Sequence, residues 1–129
     1  VIFTGRVSKD DAVRYHQALD IFVVPRKDFE VTRSVTPLKP VEALASSRPV
    51  LASRLPALQE IVTDGTNGML ADPGDPHDLA NKLERLLGSQ ELRNRLGQAG
   101  RHEVLKNRTW PANAVALDAA YGQLVEAPR

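Results

Sequence analysis

Residues 21–53 read IFVVPRKDFEVTRSVTPLKPVEALASSRPVLAS, and this stretch decides the fold. It opens with an apolar run at residues 21–24 and closes with a second strand-like run at residues 49–53. Between the two runs, residues 37–46 have the pattern of a helix with proline in its first turn, where a missing N–H costs little. Continuous apolar runs joined through a helix are typical of parallel strands that are covered on both faces.

The same alternation continues toward the start of the chain. Residues 1–4 predict a short strand, and residues 8–19 predict a helix that Ser8 caps, with Asp11 three positions on as in a capping box. The apolar positions of this helix share one face at helical spacing, and they are Ala12, Tyr15 and Leu19. We expect residues 21–24 to be a fully buried strand.

Toward the end of the chain, residues 56–61 predict a short helix and residues 69–71 the last short strand. The helices predicted after this strand begin near Asp75, Ser89 and Thr109. The inward face of the last helix is predicted to hold Ala114, Leu117, Tyr121 and Leu124. The order βαβαβαβααα predicts an α/β fold in one domain over residues 1–129, a partial doubly wound, Rossmann-like parallel sheet with C-terminal helices.

Composition narrows the function classes. Seventeen Lys plus Arg against sixteen Asp plus Glu give a net charge of +1, so no global field favours nucleic acid as a partner. The chain has no cysteine, and its three histidines lack a metal-binding spacing, so we expect no metal and no cofactor. No apolar run approaches the ~20 residues that span a bilayer, and no signal-peptide pattern is found, which predicts a cytoplasmic setting.

Residues 26–36 are polar, basic and without a clean period, which predicts a loop at the carboxyl end of a strand. The loop delivers Arg26 and Arg33 to the start of the next helix, where free backbone N–H groups and the helix dipole hold anions. A diphosphate is the anion we expect there. Lys39 can add its ammonium group, and Glu42, about one turn into the helix, can accept hydrogen bonds from a hydroxyl pair such as that of ribose.

A purely structural interpretation of these residues stays open. Glu42 can simply complement the helix dipole, and the basic side chains can belong to a solvated loop. Trp110 is predicted to anchor the last helix in the core, and His16 and His102 are predicted to be surface helix residues. The residues predicted to form turns are Asp64, Gly65, Asn67 and Gly68.

Several segments resemble one family, in order along the chain. They are VIFTGRV (residues 1–7), DIFVVP (20–25), TPLKPVEALASSRPVLAS (36–53), LPALQEIVTDGTNGMLADPGDPHDLANKLERLL (55–87) and RTW (108–110). Together they resemble the C-terminal half of the family 4 retaining glycosyltransferases, which have the GT-B fold. The resemblance implies a nucleotide-sugar-binding domain of an enzyme for glycan biosynthesis, which transfers a hexosyl group from a nucleoside-diphosphate sugar with retention of configuration.

The resemblance also implies roles for individual positions. Glu42 matches the second glutamate of the family's E-x7-E motif and would bind the donor ribose. Eight positions earlier, Ser34 stands where the family usually has the first glutamate, which is associated with the donor sugar ring, so the catalytic residue stays unknown. The residues that would line the diphosphate and sugar are Thr36, Pro37, Leu38 and Lys39, and those beside the base are Gly5, Arg6 and Val7.

The stretch PLKP departs from the family's pattern, because it replaces a glycine-rich stretch with two prolines and a lysine. We hypothesise that Lys39, with Arg26 or Arg33, supplies diphosphate charge that other members supply elsewhere. Glu60 falls in the pattern LPALQE, in which the family has a glutamate near the cleft. A position on the helix surface is the alternative for Glu60.

The resemblance further implies segments that this chain does not match. A family C-terminal domain opens with two more strands, and an acceptor-binding Rossmann-like domain precedes it, so we expect this chain to be a truncated donor domain that is inactive alone. The missing strands would lie between residues 1–4 and 21–24. Either residues 1–4 pair again, or the edge of residues 21–24 stays unpaired and promotes dimerisation or strand exchange.

Peripheral membrane association of the parent enzyme is a further expectation from the resemblance. The rival function is a non-catalytic α/β module that binds a nucleotide or a partner protein, and Ser34 keeps this rival open. A GT-B epimerase is disfavoured, because no segment matches the glycine-rich SGG-type phosphate loop of that group.

Overall fold

A computed structural model describes the backbone of residues 2–126 and the side chains of residues 2–123. Its sheet has three parallel strands, β1 (Phe22–Val24), β2 (Val50–Ser53) and β3 (Gly68–Ala71), in the spatial order β1-β2-β3. Val23 lies opposite Leu51 in the register of the first pair. The predicted parallel pairing is confirmed, and the strand bounds differ from the predicted ones by one residue.

Helices connect and cover these strands. Within the described range they are α1 (Lys9–Ala18), α2 (Glu30–Ser34), α3 (Leu38–Ala45), α4 (Pro56–Gln59), α5 (Pro76–Gly88), α6 (Gln90–Asn107) and α7 (Trp110–Glu126). The observed order is therefore αβααβαβααα, which confirms the predicted α/β class.

The central strand β2 is fully buried and separates two apolar clusters. Successive side chains of a strand point to opposite faces, so Val50 and Ala52 enter one cluster and Leu51 enters the other. The first cluster is completed mainly by Ala43, Leu44, Leu55, Leu58 and Val104. The second contains Met69, Ala71, Leu86 and Leu96. Burial on both faces explains why this strand reads as a continuous apolar run.

The predicted cap of α1 forms, and α5 and α6 are capped by Asp75 and Ser89, near which they were predicted to begin. Ser8 Oγ accepts from the Asp11 N–H at 3.1 Å, and Ser89 Oγ accepts from the Leu92 N–H at 3.1 Å. Asp75 accepts from the first N–H groups of α5, so these helix starts satisfy their own orphan donors. The Ser8 hydroxyl also donates to the Asp11 carboxylate at 2.7 Å, in place of the reciprocal bond of a capping box.

The predicted first strand at residues 1–4 is wrong for residues 2–4, which form no strand, while residue 1 lies outside the described residues. Ile2 and Phe3 are both exposed. A strand needs a hydrogen-bonding neighbour, and β1 pairs only with β2 within residues 2–126. For the same reason β1 is half-buried, not fully buried as expected. Dimerisation through its outer edge stays a prediction.

The segment predicted as loop, residues 26–36, contains the short helix α2. Local hydrogen bonds hold it: Thr32 Oγ1 accepts from the Phe29 N–H at 2.9 Å and donates to the Lys27 carbonyl at 2.7 Å. Because these bonds involve a polar side chain and no apolar stripe, hydrophobic periodicity could not reveal the helix.

The predicted inward face of the last helix is also wrong. Leu117 and Tyr121 are exposed on α7, and the side chain of Leu124 lies outside the described ones. Trp110, predicted as a core anchor, is 88% exposed. Helical spacing shows which residues share a face, but it does not show what that face contacts. The prediction for His102 is confirmed, since this residue is exposed on α6.

An ion-pair cluster joins the carboxyl ends of β2 and β3. Arg54 binds the Asp64 carboxylate at 2.9 Å and Asp72 at 3.1 Å, and it donates to the Leu70 carbonyl at 3.0 Å. Partial burial alone raises the pKa of Asp64, but hydrogen bonds from Arg54 and from the Leu70 N–H outweigh it, so this pKa lies below its ordinary value. Asp64 thus fixes the turn that the sequence predicted there.

We predict that this cluster makes stability depend on pH at the acidic end. A carboxyl group whose pKa is lowered by folding stabilises the protein above its unfolded-state pKa of about 3.9, and this stabilisation is lost as the pH falls through the lowered value. Asp64→Asn should therefore lower the free energy of unfolding at pH 7 by roughly 0.5–1 kcal/mol, because the pair is more than one-third exposed. Urea unfolding at pH 7 and pH 3 measures the difference, which should shrink at pH 3. A difference that is equal at both pH values would contradict the prediction.

A close crossing of α6 on α3 requires glycine. A Cβ atom on Gly97 would lie 2.2 Å from the Ser47 carbonyl oxygen, and one on Gly100 would lie 2.4 Å from Leu44 Cδ2. Ser47 itself has a positive φ of 57° directly after α3. The backbone contact at Gly97 is the tighter constraint, because a carbonyl group cannot rotate away as a side chain can.

We predict that Gly97→Ala lowers the free energy of unfolding by about 1–3 kcal/mol, because the helices must move apart. Gly88→Ala is the matched control, since no atom would lie within 4 Å of its added Cβ. Urea unfolding of both variants tests this difference. Equal midpoints for the two variants would show that the crossing tolerates a methyl group.

Candidate functional site

A cavity of about 560 Å³ runs along all three residues of β1 and reaches its carboxyl end, between α1, the loop after β1 and the start of α3. Apolar side chains such as Phe22, Val24 and Pro40 line much of it. The polar side chains at its walls are Thr4, Tyr15, His16, Arg26 and Lys39. Open parallel sheets bind ligands at this edge, so the cavity lies where the sequence predicted a site.

Arg26 and Lys39 bring positive charge to this cavity. Arg26 lies at the start of its loop, and two hydrogen bonds hold it. Its N–H donates to Ser53 Oγ at 2.8 Å, and its guanidinium donates to the carbonyl of Val35, near the end of the loop, at 3.2 Å. Lys39 occupies the second position of α3 and is exposed. The structure thus joins two of the predicted cations at one cavity.

Arg33 does not contribute to this cavity. Its guanidinium forms a two-bond pair with the Asp28 carboxylate, at 2.5 and 2.7 Å, beside a separate surface hollow. The hydrogen bond to Arg33 lowers the pKa of Asp28. Of the two arginines that the sequence offered as partners of Lys39, the structure favours Arg26.

The start of α3 faces the cavity through Pro37 and Lys39. Pro37 is the N-cap residue and no side chain caps this helix, unlike α5 and α6. Position 40 is also proline, so Leu38 and Lys39 carry the outermost N–H groups. The Leu38 side chain is exposed and lies outside the residues that line the cavity.

Thr36 and Glu60 meet beside this helix start. The Thr36 hydroxyl donates to Glu60 Oε2 at 2.8 Å, although 24 residues separate them. Arg108 donates to the Glu60 carbonyl. Glu60 and Thr36 both lie outside the residues that line the cavity, so a place for Glu60 near the site and a place on the helix surface both stay open.

Glu42 faces a second hollow of about 280 Å³ beside the main cavity. Its side chain is 57% exposed, and Lys9, Ala12 and His16 line the same hollow. Ala12 and His16 also line the main cavity, so they form the ridge between the two spaces. Lys39 and Glu42 are therefore neighbours across a ridge, on the same side of α3.

His16 is the residue that sequence reasoning missed. It was predicted to lie on the surface, but its side chain is only 15% exposed and its ring packs edge-on against Phe22, with centroids 5.4 Å apart. Its Nδ1 lies 3.8 Å from Glu42 Oε2. The signal was available, because His16 follows Ala12 by four positions and so shares the inward face of α1.

The predicted base-binding residues divide into two groups. Val7 lines the main cavity, together with Thr4. Gly5 and Arg6 are exposed and lie outside its lining, and Gly5 turns the chain into α1 with a φ of 66°.

Ser34 also lies outside the residues that line the main cavity. It belongs to α2, and its hydroxyl donates to the Glu30 carbonyl at 3.0 Å.

Another hollow, of about 300 Å³, lies at the carboxyl ends of all three strands. Most of its polar groups already have partners: Ser53 accepts from Arg26, Asp72 binds Arg54, and Asp75 caps α5. Arg26 and Lys27 also line this hollow, so the main cavity shares Arg26 with it and differs in adding Lys39 and the start of α3.

In the part of the chain that the structure describes, no three His, Cys, Asp or Glu side chains come together as metal ligands. None of the helices in that part is long and apolar enough to span a bilayer.

Comparison with known proteins identifies the family. The family described as glycosyl transferases group 1 matches residues 1–103. This chain belongs to the group 1 glycosyltransferases. It is 36% identical over 120 residues to an uncharacterized glycosyltransferase of Methanocaldococcus jannaschii, with 93% of this chain and 32% of that protein covered.

This glycosyltransferase chain has further relatives of known name and structure. It is 36% identical over 111 residues to D-inositol 3-phosphate glycosyltransferase of Thermobifida fusca, with 86% of the chain and 24% of the relative covered. A sucrose-phosphate synthase from Thermosynechococcus elongatus superposes with a TM-score of 0.81 at 31% identity, over 98% of this chain and 31% of that one. The glycosyltransferase chain thus spans about a third or less of the length of each relative. A group 1 glycosyltransferase family and the GT-B type of fold are confirmed, whereas the assignment to family 4 and the retention of configuration stay predictions.

We predict that the two arginines of the loop differ in their effect on nucleotide binding. Arg26→Gln should weaken the binding of a nucleoside diphosphate by roughly tenfold in the complete protein, since an ionic hydrogen bond contributes about 1.5–3 kcal/mol. Arg33→Gln, which removes the same charge beside Asp28, should leave the affinity within about twofold. Calorimetric titration with UDP, GDP and ADP measures both. The reverse ranking would show that Arg33 leaves Asp28 to bind the ligand.

Proposed function

We propose that this chain is the donor-binding part of a two-domain glycosyltransferase that uses a nucleoside-diphosphate sugar. The observation that carries the proposal is the meeting of Arg26, Lys39 and the uncapped start of α3 at one cavity, in a member of this family. Cations and free helix N–H groups together favour a diphosphate.

The proposed reaction retains the configuration of the transferred sugar, as the resemblance to family 4 implies. The protein's contribution would be electrostatic: Lys39, Arg26 and the first N–H groups of α3 stabilise the negative charge that grows on the departing diphosphate. In this proposal no cofactor takes part. The acceptor and its binding domain belong to the rest of the protein, and the chain alone is inactive.

Glu42 is proposed to bind the donor ribose. Its carboxylate is exposed and next to the ridge that bounds the main cavity, so it can reach a hydroxyl pair at that border. Apolar walls at Val7 and Phe22 suit the flat face of a base. In this arrangement the nucleotide extends from the border beside α1 to the cations at the start of α3.

The departure at Ser34 supports one rival, a non-catalytic nucleotide-binding module. Ser34 replaces the glutamate expected at the sugar ring, and its hydroxyl is bonded within α2. A module of that kind binds nucleotide without transferring sugar. Two further proposals concern the complete protein. It is a cytoplasmic enzyme that associates with a membrane, and it forms a dimer through the β1 edge.

The test of the proposal is a titration and transfer assay of the complete protein. Calorimetry with UDP, GDP and ADP sugars should reveal one preferred nucleotide, and NMR of the product should show the same anomeric configuration as the donor. Nucleotide binding without turnover on any acceptor tried would support the rival module. No binding to any nucleoside diphosphate would contradict both.

We predict that Lys39→Ala weakens nucleotide-sugar binding at least roughly tenfold at moderate salt, because it removes a direct phosphate contact of about 1.5–3 kcal/mol. Lys27→Ala is the matched control, since Lys27 is a cation of the loop before α3 that lines the other hollow. Titration of the complete protein with its preferred sugar nucleotide measures both. An affinity of Lys39→Ala within about twofold of the wild type would rule out the phosphate contact.

A further inference from the structure

His16 and Glu42 form a pair in which one side chain is largely buried and the other is largely exposed. The imidazole is 15% exposed and packed against Phe22 at an interplanar angle of 88°, whereas the carboxylate is 57% exposed. Packing on neighbouring elements restricts a ring far more than solvent restricts a glutamate. The position of the Glu42 carboxylate therefore depends on the hydrogen-bonding groups of the His16 ring.

The separation of 3.8 Å between Nδ1 and Oε2 is longer than a hydrogen bond but within ion-pair distance. The terminal torsion of glutamate is broad, so a small rotation brings an oxygen within bonding distance. Among the described side chains, His16 is the one that lies within 4 Å of the Glu42 carboxylate as a possible donor. Lys9 also lines the same hollow.

We infer that His16 is a positioning residue for Glu42: its Nδ1–H holds one carboxylate oxygen, so that the other oxygen faces the main cavity and accepts from the ribose hydroxyls. The inference rests on the proposed function, in which Glu42 binds the donor ribose. Its consequence is selectivity, because a carboxylate held in one orientation discriminates a nucleotide with both hydroxyls from one that lacks them.

Two variants separate the effect of the His16 nitrogen from the effect of its ring. His16→Phe keeps an aromatic ring against Phe22 but removes the donor, whereas His16→Asn removes the ring but keeps an N–H near the same position. If His16 acted only as a wall of the cavity, the Phe variant would bind normally. If His16 positions Glu42, His16→Asn is the variant that retains ribonucleotide binding.

The experiment is calorimetric titration of the complete protein with UDP, GDP and ADP, each beside its 2′,3′-dideoxy counterpart. Glu42→Gln should weaken binding of the preferred ribonucleotide and leave the dideoxy counterpart unchanged. His16→Phe should weaken the ribonucleotide by roughly three- to fivefold, the scale of a partly exposed pair, again without effect on the dideoxy counterpart. His16→Asn should lie within about twofold of the wild type.

The double variant of His16→Phe and Glu42→Gln should bind no more weakly than Glu42→Gln alone, because the two residues act through one contact. Arg14→Ala is the control on the same helix, since Arg14 is exposed and pairs with Asp11 outside both spaces. It should bind like the wild type. Thermal unfolding checks that each variant is folded, and His16→Leu serves in place of His16→Phe if the latter does not fold.

The outcomes distinguish the inference from the proposed function. A ribose-specific loss in Glu42→Gln without one in His16→Phe would overturn the inference alone. Equal losses of His16→Phe for both nucleotides would assign it a wall function and overturn the positioning role. No ribose-specific loss in Glu42→Gln would overturn the proposed role of Glu42, and the inference with it.

Discussion

The burial of β2 on both faces is the constraint on which the rest of the structure depends. Its side chains enter two separate apolar clusters, so helices must cover both sides of the sheet. β3 fits against it at Gly68, where a Cβ atom would lie 2.7 Å from the Val50 carbonyl oxygen. α3, which directly precedes β2, is held by its buried residues Ala43 and Leu44. The core thus sets where the start of α3 opens at the edge of the sheet.

Charge at that edge is arranged by pairing. Arg33 and Arg54 are matched by aspartates, whereas Arg26 donates to a backbone carbonyl, which leaves its positive charge uncompensated. Lys39 lies close by on an uncapped helix start. Two cations without an ion-pair partner among the described residues therefore meet at one cavity of a chain with a net charge of +1, which global composition cannot show.

Sequence reasoning succeeded where local chemistry decides the structure. The cap at Ser8, the starts of α5 and α6 near Asp75 and Ser89, and the strand β2 follow from residue types and spacing alone. It failed where the outcome depends on contacts between elements. The exposed Trp110 and the absent strand at residues 2–4 depend on whether a neighbouring surface covers them. The prediction for His16 failed for the opposite reason. His16 was placed on the surface because it is polar, although its position on α1 faces inward.

The candidate site shows the same division. The positions of Arg26, Lys39 and Val7 at one cavity were foreseen, since parallel strands bring their following loops to one edge. The absence of Arg33 from this cavity was not foreseen. Its pair with Asp28, five positions away, competes with any ligand, and no periodic pattern in the sequence indicates such a pair. The contact between Thr36 and Glu60 joins residues far apart in sequence and needed coordinates to be seen.

The segment that carries α2 is held largely by bonds among its own residues, from Lys27 and Thr32 to Ser34 and Glu30. Such a segment keeps its shape with little help from the sheet below it. Substitutions at its exposed positions would therefore change this surface while the core stays as it is, so the segment can diverge without affecting the folding of the domain.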